Sequence, residues 1–113
     1  MVIQIKREKL NIDYVKATII KLAQKLKDEK IPVRKMILFG SYAKNQPHID
    51  SDIDVAIILP GNTNIDRDRI SQISWWAKQI EIKLETHILS ENDFNNRWFS
   101  LPAEIKKSGI EIK

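Results

Sequence analysis

The chain has 113 residues, 42% of them hydrophobic and 30% charged, and it carries a formal net charge of +4 and no cysteine. This size suits one small domain spanning residues 1–113. The absence of cysteine excludes disulfides, thiolate zinc sites and cysteine catalysis. It also favours a reducing cytoplasm as the location of the protein. No apolar run reaches the ~20 residues of a membrane span, and the basic start lacks the apolar segment of a signal peptide.

The first third of the sequence predicts a basic amphipathic helix behind a short arm. Residues 1–9 begin with alternating apolar residues and continue with basic ones, which suits a short arm or an edge strand. Asn11 or Asp13 can cap the helix, and Pro32 is expected to end it. Residues 1–35 hold ten Lys or Arg against four Asp or Glu, which fits a solvated lysine face or a surface for an acidic partner. Apolar residues recur at helical spacing, with lysines between them: Ile12, Val15, Ile19, Leu22 and Leu26.

Two apolar runs then predict two strands. The first covers residues 33–39, and the second covers residues 52–59 and ends at Pro60-Gly61. Between them, residues 41–44 are expected to form a short helical turn and residues 45–51 a polar loop.

The second half of the chain predicts a further helix and an alternating strand. The helix covers residues 66–78, with Asn62 or Asn64 as its cap. The strand covers residues 80–89, with its even-numbered isoleucines and leucine on one face and its charged residues on the other.

The C-terminal segment predicts short elements. Ser90 and Asp93 suit the cap of a short helix running to Trp98. Pro102 suits the first position of a last helical turn, which Ser108-Gly109 ends before a strand at residues 110–112. The whole order predicts an α+β fold with a small mixed or antiparallel sheet flanked by helices.

A Gly-Ser pair at the end of the first strand is the first chemical signal. Gly40 and Ser41 follow an apolar run and precede the expected helical turn. A turn that enters a helix offers backbone N–H groups to phosphate. Lys44, three residues further on, is a candidate for an added positive charge. We therefore predict that Gly40, Ser41 and Lys44 bind phosphate groups.

Two aspartates open the second strand. Asp52 and Asp54 would share one strand face, roughly 6–7 Å apart. Aspartate is disfavoured in strands, and two carboxylates on one face repel each other without a cation, so the pair favours a metal site over a merely solvated surface. Carboxylate, phosphate and water oxygens are the ligands that Mg²⁺ prefers.

A third carboxylate would complete this site. Glu85 lies on the polar face of the strand at residues 80–89 and becomes a ligand if strand pairing brings it beside Asp54; otherwise it belongs to an exposed polar face. In the first case two Mg²⁺ ions would lie between Asp52, Asp54, Glu85 and a nucleoside triphosphate. An acceptor hydroxyl would attack the α-phosphate, with Glu85 as base or metal ligand.

These residues also carry a family resemblance. The segments G-S-Y-A-K, S-D-I-D-V-A-I-I and I-K-L-E-T-H-I-L-S, within residues 33–90, resemble the DNA polymerase beta nucleotidyltransferase superfamily, and in particular its minimal nucleotidyltransferases. The resemblance implies a polymerase beta palm-like fold, ATP or another nucleoside triphosphate, Mg²⁺, and transfer of a nucleoside monophosphate. It also implies a helical HEPN-type protein partner in a toxin–antitoxin pair. In such a pair this chain would be the antitoxin, and it would adenylylate a tyrosine of the toxin.

The sequence departs from that family at two places. Lys44-Asn45 stands where many members have Arg-Gly, although asparagine tolerates the left-handed backbone that such a turn needs. Glu85 stands where aspartate is frequent, and is one methylene longer.

Several residues have alternative roles. His87 orients a carboxylate, contacts substrate or is a surface histidine, and the last interpretation is favoured. Tyr42 is expected to pack rather than stack on a base. Trp75, Trp76 and Trp98 suit the core or a partner interface. The second hypothesis is accordingly a non-catalytic antitoxin that binds a helical partner, while a nucleic-acid binder rests on charge alone and ranks last.

Overall fold

The computed structural model describes residues 10–61, 63–96 and 100–112. None of the helices in these ranges is long and apolar enough to cross a membrane. The elements in chain order are α1 (Ile12–Asp28), β1 (Lys35–Phe39), β2 (Ile53–Leu59), α2 (Arg67–Ile80), β3 (Leu84–Ser90), α3 (Glu91–Phe94), α4 (Ser100–Ser108) and β4 (Ile110–Ile112).

The strands form one mixed sheet in the order β3-β2-β1-β4. Strand β1 is antiparallel to β2 and to β4, whereas β2 and β3 are parallel. The predicted α+β fold with a small mixed sheet is confirmed. The end of β1, the start of β2 and the start of β3 therefore meet at one end of the sheet, which is where the predicted site residues lie.

The two faces of the sheet are covered differently. Helices α1 and α2 pack on one face, where side chains such as Leu38, Val55 and Ile57 are completely buried. Complete burial of such a side chain contributes about 1.5–3 kcal/mol. The opposite face carries a smaller cluster that includes Phe39 and Ala56 and packs against α3 and α4. Asp54 alternates with Val55 along β2 and so emerges on this second face.

The boundary between α2 and β3 differs from the prediction. Helix α2 continues to Ile80, and β3 begins only at Leu84. The isoleucine spacing fits a helical stripe as well as a strand, and the helix continues because the Glu81 N–H donates to the Ala77 carbonyl oxygen (2.9 Å). Ile82, expected on the apolar face of the predicted strand, is 71% exposed.

Caps set the ends of the longer helices. Asn11 caps α1 as predicted, accepting from the Asp13 N–H (2.7 Å). Helix α1 already ends at Asp28, and Lys30 takes a left-handed φ of 59°, so the chain leaves the helix before Pro32. The prediction of Asn64 as the cap of α2 was wrong. Asp66 caps this helix, because its side chain accepts from the Arg69 N–H (2.8 Å). Asn62 lies outside the described residues.

The short C-terminal elements follow the prediction in part. Ser90 caps α3 by accepting from the Asp93 N–H (3.1 Å), as expected. Helix α4 begins at Ser100, two residues before Pro102, and Ser108-Gly109 ends it, where the Gly109 N–H donates to the Ile105 carbonyl oxygen (2.7 Å). The predicted arm at residues 1–9 and the extension of α3 to Trp98 fall outside the described residues.

Candidate active site

The Gly-Ser pair forms a tight turn directly after β1. Gly40 takes φ +75°, a region that favours glycine. The Lys44 N–H donates to the Gly40 carbonyl oxygen (3.1 Å), and the Gln46 N–H donates to the Ser41 carbonyl oxygen (2.9 Å). Asn45 closes the turn at φ 55°, so its predicted tolerance of left-handed backbone is used. The segment forms a single helix-like turn, as predicted, and does not extend into a longer helix.

Gly40 and Asp54 are in direct contact across the β1–β2 pair. The register sets Phe39 opposite Asp54, so the residue after Phe39 lies against the aspartate side chain. A Cβ atom placed on Gly40 would meet Asp54 Cγ at 3.3 Å and the carboxylate oxygen Oδ2 at still shorter range. The Asp54 side chain thus packs over the turn predicted to hold phosphate, and only glycine allows this approach.

His87 holds the other oxygen of the same carboxylate. Its Nε2 lies 3.2 Å from Asp54 Oδ1, and both side chains are about 30% exposed, at 30% and 28%. The imidazole packs edge-on against Phe39, with 4.9 Å between ring centroids. The Asp54 carboxylate therefore lies between Gly40 and His87. The favoured interpretation of His87 as a plain surface residue was wrong, and its position two residues after Glu85 on the polar face was the signal for the alternative.

Glu85 lies next to Asp54 in the parallel pair. The register sets the two residues opposite each other, as the sequence analysis required, and neighbouring strands run about 4.8 Å apart. The carboxylate of Glu85 nevertheless turns towards α2, where Oε2 lies 3.7 Å from Lys78 Nζ. The same ammonium donates to the Ile82 carbonyl oxygen (2.8 Å). Strand pairing brings the backbone of Glu85 to the site, while its side chain rests on the helix.

Asp52 is exposed and immediately precedes β2, at the same end of the sheet. The donor types and backbone positions of Asp52, Asp54 and Glu85 suit an oxygen-ligated divalent cation. Their side chains are not gathered around one point, because within the described ranges no three His, Cys, Asp or Glu residues form a group that could hold a metal ion. Asp54 instead contacts His87, and Glu85 instead contacts Lys78.

Lys44 is half exposed and faces α4. Its Nζ lies 3.8 Å from Glu104 Oε1, a distance at the limit of an ion pair. An exposed pair of this kind contributes about 0–1 kcal/mol, so the lysine remains free to change partner.

The aromatic residues outside the site behave largely as predicted. Tyr42 is buried, and its hydroxyl accepts from the Leu10 N–H (3.2 Å), which is a packing role. Trp76 packs against the core beneath Lys25, whose Nζ lies 4.1 Å from the ring centroid. Trp75 is 54% exposed beside it, and Trp98 lies outside the described residues.

Three solved structures share this fold with the chain. A toxin–antitoxin crystallised with AMP-PNP is 20% identical, with a TM-score of 0.62 over 87% of this chain and 72% of that chain. A tri-AMPylated HEPN toxin of Shewanella oneidensis in complex with an MNT antitoxin is 17% identical, with a TM-score of 0.58 over 91% of this chain and 72% of that chain. A candidate nucleotidyltransferase from Sulfolobus solfataricus is 19% identical, with a TM-score of 0.54 over 92% of this chain and 87% of that chain. At these identities the likeness shows the fold alone.

The sequence comparison reaches further than the fold. No curated protein matches the chain. Residues 19–111, which include β1, β2 and β3 and every predicted site residue, match the family model described as the nucleotidyltransferase domain. The chain belongs to the nucleotidyltransferase domain family.

Proposed function

We propose that the protein is a Mg²⁺-dependent nucleotidyltransferase that transfers AMP from ATP to a hydroxyl group. One observation carries the proposal: the Asp54 carboxylate packs directly over Gly40, at the turn predicted to hold phosphate. A carboxylate beside a glycine turn can hold a divalent cation against phosphate groups bound at the turn, which supports this chemistry. The family membership of residues 19–111 supports the same chemistry.

The residues divide into two groups by role. Gly40 and Ser41 hold the β- and γ-phosphates through the turn, and Lys44 adds a positive charge once it leaves Glu104. Asp52, Asp54 and Glu85 would hold two Mg²⁺ ions. When bound, these ions neutralise phosphate charge and lower the pKa of the attacking hydroxyl.

The transfer itself forms one bond and breaks another. The acceptor oxygen bonds to the α-phosphorus, the bond from that phosphorus to the bridging oxygen breaks, and pyrophosphate leaves. The hydroxyl proton goes to a base, for which Glu85 is the candidate. Glu85 has to exchange Lys78 for the site before it can act, and their 3.7 Å exposed contact is weak enough to permit this.

The acceptor we propose is a tyrosine of a helical HEPN-type toxin, with this chain as the antitoxin, in a reducing cytoplasm. Two of the similar structures are toxin–antitoxin complexes, one with AMP-PNP and one with an AMPylated HEPN toxin, which supports this choice. We do not propose nucleic acid as the acceptor.

Two measurements test the proposal. ATP with Mg²⁺ should raise the melting temperature, and Asp54→Asn should abolish the gain. Co-purified HEPN-type partner, incubated with ATP labelled at the α-phosphate, should take up label, while ATP labelled at the γ-phosphate should transfer none. Label from the γ-phosphate would indicate a kinase, and an Asp54→Asn protein that gains as much stability as the parent would show that the assigned metal site is wrong.

A non-catalytic antitoxin is the second candidate. The observation that favours it is the exposed apolar surface of the two long helices, where Trp75 and Ile20 are 54% and 49% exposed. Under this hypothesis Trp75→Ala weakens partner binding and Asp54→Asn leaves both binding and neutralisation intact. Uptake of α-label by the partner would rule it out.

A further inference from the structure

A cavity in the described part of the chain lies away from the candidate active site. It has a volume of about 640 Å³ and lies between the end of α1, the start of β1 and β4. We call it the basic groove; its lining includes Lys27, Lys30, Arg34, Lys35, Glu111 and an apolar floor of Ala23, Ile31, Pro32, Val33, Met36 and Ile112. Lys35 begins β1 and Gly40 follows its end, which separates the groove from the turn by roughly 16 Å.

The charge around the groove is almost all of one sign. Four cationic side chains line it against the single carboxylate of Glu111. Arg34 makes an exposed contact with Glu91, at 3.4 Å between Nε and Oε1. Within the described ranges, no salt bridge is found for Lys27, Lys30 or Lys35. The groove therefore has positive charge left for an acidic ligand.

The groove also borders an open strand edge. Strand β4 pairs with β1 on one side and is the last strand in the described sheet, so its other edge faces no strand there. An unpaired edge offers backbone N–H and C=O groups to an added strand. An extended peptide beside Glu111 and Ile112 would place alternate side chains over the apolar floor and the lysines.

From these three features we propose that the basic groove binds an extended acidic peptide segment of a partner protein, added as a strand at the edge of β4. No aromatic side chain occurs among the described residues that line the groove, so it lacks the stacking platform that single-stranded nucleic acid uses. The chain's own start is a poor occupant on charge, since Lys6, Arg7 and Lys9 carry the same sign as the groove.

The test uses fluorescein-labelled eight-residue peptides in which glutamate alternates with leucine or valine, titrated by fluorescence anisotropy. The same peptides with glutamine in place of glutamate, or with backbone N-methyl groups on alternate residues, serve as ligand controls. The acidic peptides should bind, and both control sets should bind at least about tenfold more weakly. Added salt should weaken the acidic peptides further.

Matched variants locate the site. Lys27→Glu with Lys35→Glu should weaken binding by about tenfold or more, and Asp54→Asn should leave it unchanged. Lys16→Glu with Lys21→Glu makes the same change of charge outside the groove lining and should alter binding by no more than about twofold. Melting curves verify that each variant is folded.

Four results would overturn the proposal. They are no acidic-peptide binding up to about 1 mM, equal loss in both double variants, equal binding of the N-methylated peptides, or displacement of the peptide by an oligonucleotide of the same charge at lower concentration. Since Asp54 lies outside the groove, the outcome is independent of whether the nucleotidyl transfer proposal holds.

Discussion

Replacing Gly40 with alanine should damage the candidate active site far more than the fold. Its φ of +75° is unfavourable for alanine by about 1–2 kcal/mol. For a chain of 113 residues this lowers the melting temperature by roughly 4–8 °C. The new Cβ also meets Asp54, at 3.3 Å from Cγ, so the carboxylate has to move. A misplacement of about 1 Å in a catalytic group can reduce the rate on the order of 100-fold.

Gly61 provides a matched control for the backbone effect. It also has a left-handed φ, of +51°, but a Cβ atom there would meet nothing within 4 Å. Gly61→Ala should therefore lose similar stability through the backbone while leaving Asp54 undisturbed. The two variants separate the conformational cost from the contact with the carboxylate.

The assay is thermal unfolding of both variants with and without ATP and Mg²⁺, followed by transfer of α-label to the partner. Gly61→Ala should keep the ligand-induced gain in melting temperature, and Gly40→Ala should lose most of it. If Gly40→Ala gains as much as Gly61→Ala and transfers label at the same rate, the contact of Gly40 with Asp54 has no part in nucleotide binding.

Three further predictions concern neighbouring contacts. His87→Phe removes the group that contacts Asp54 Oδ1 and should slow label transfer by about tenfold in a single-turnover assay, while His87→Gln, which can still donate, should retain more of the rate. Lys78→Met should change the unfolding free energy, measured in urea, by no more than about 1 kcal/mol. Because it releases Glu85, the same variant should bind ATP more tightly in the presence of Mg²⁺, as measured by calorimetry. Weaker binding would contradict the proposed role of Glu85. The Tyr14 hydroxyl donates to Glu81 Oε1 (2.8 Å), and this bond raises the Tyr14 pKa above 10.0, so the native state holds the proton longer than the unfolded state and the stabilisation is lost as the pH rises above 10. Urea unfolding across that range should show a steeper loss of stability for the parent than for Tyr14→Phe.

The positions in the sheet of the candidate site residues could be predicted in part because the signals are local. The alternation that buries Ile53 and Val55 also fixes the face of Asp54, and the turn at Gly40 and Ser41 follows from their position after an apolar strand. The parallel pairing that sets Glu85 opposite Asp54 could only be stated as a requirement, because register between strands separated by a helix depends on tertiary packing.

The contacts made by the site side chains could not be predicted. Glu85 lies against Lys78 in the last turn of α2, and the sequence pattern gives no sign of this contact between a helix and the strand that follows it. His87 contacts both Asp54 and Phe39, which come from two other strands. Such contacts depend on the exact lengths of distant elements, which periodicity alone defines only to within a few residues.

A crystal structure with Mg²⁺ and a non-hydrolysable ATP analogue tests the central claim most directly. We predict cations ligated by Asp52, Asp54 and Glu85, with the triphosphate lying over Gly40 and Ser41 and with Glu85 separated from Lys78. A triphosphate bound elsewhere, or cations held by other residues while Glu85 remains on Lys78, would contradict the claim.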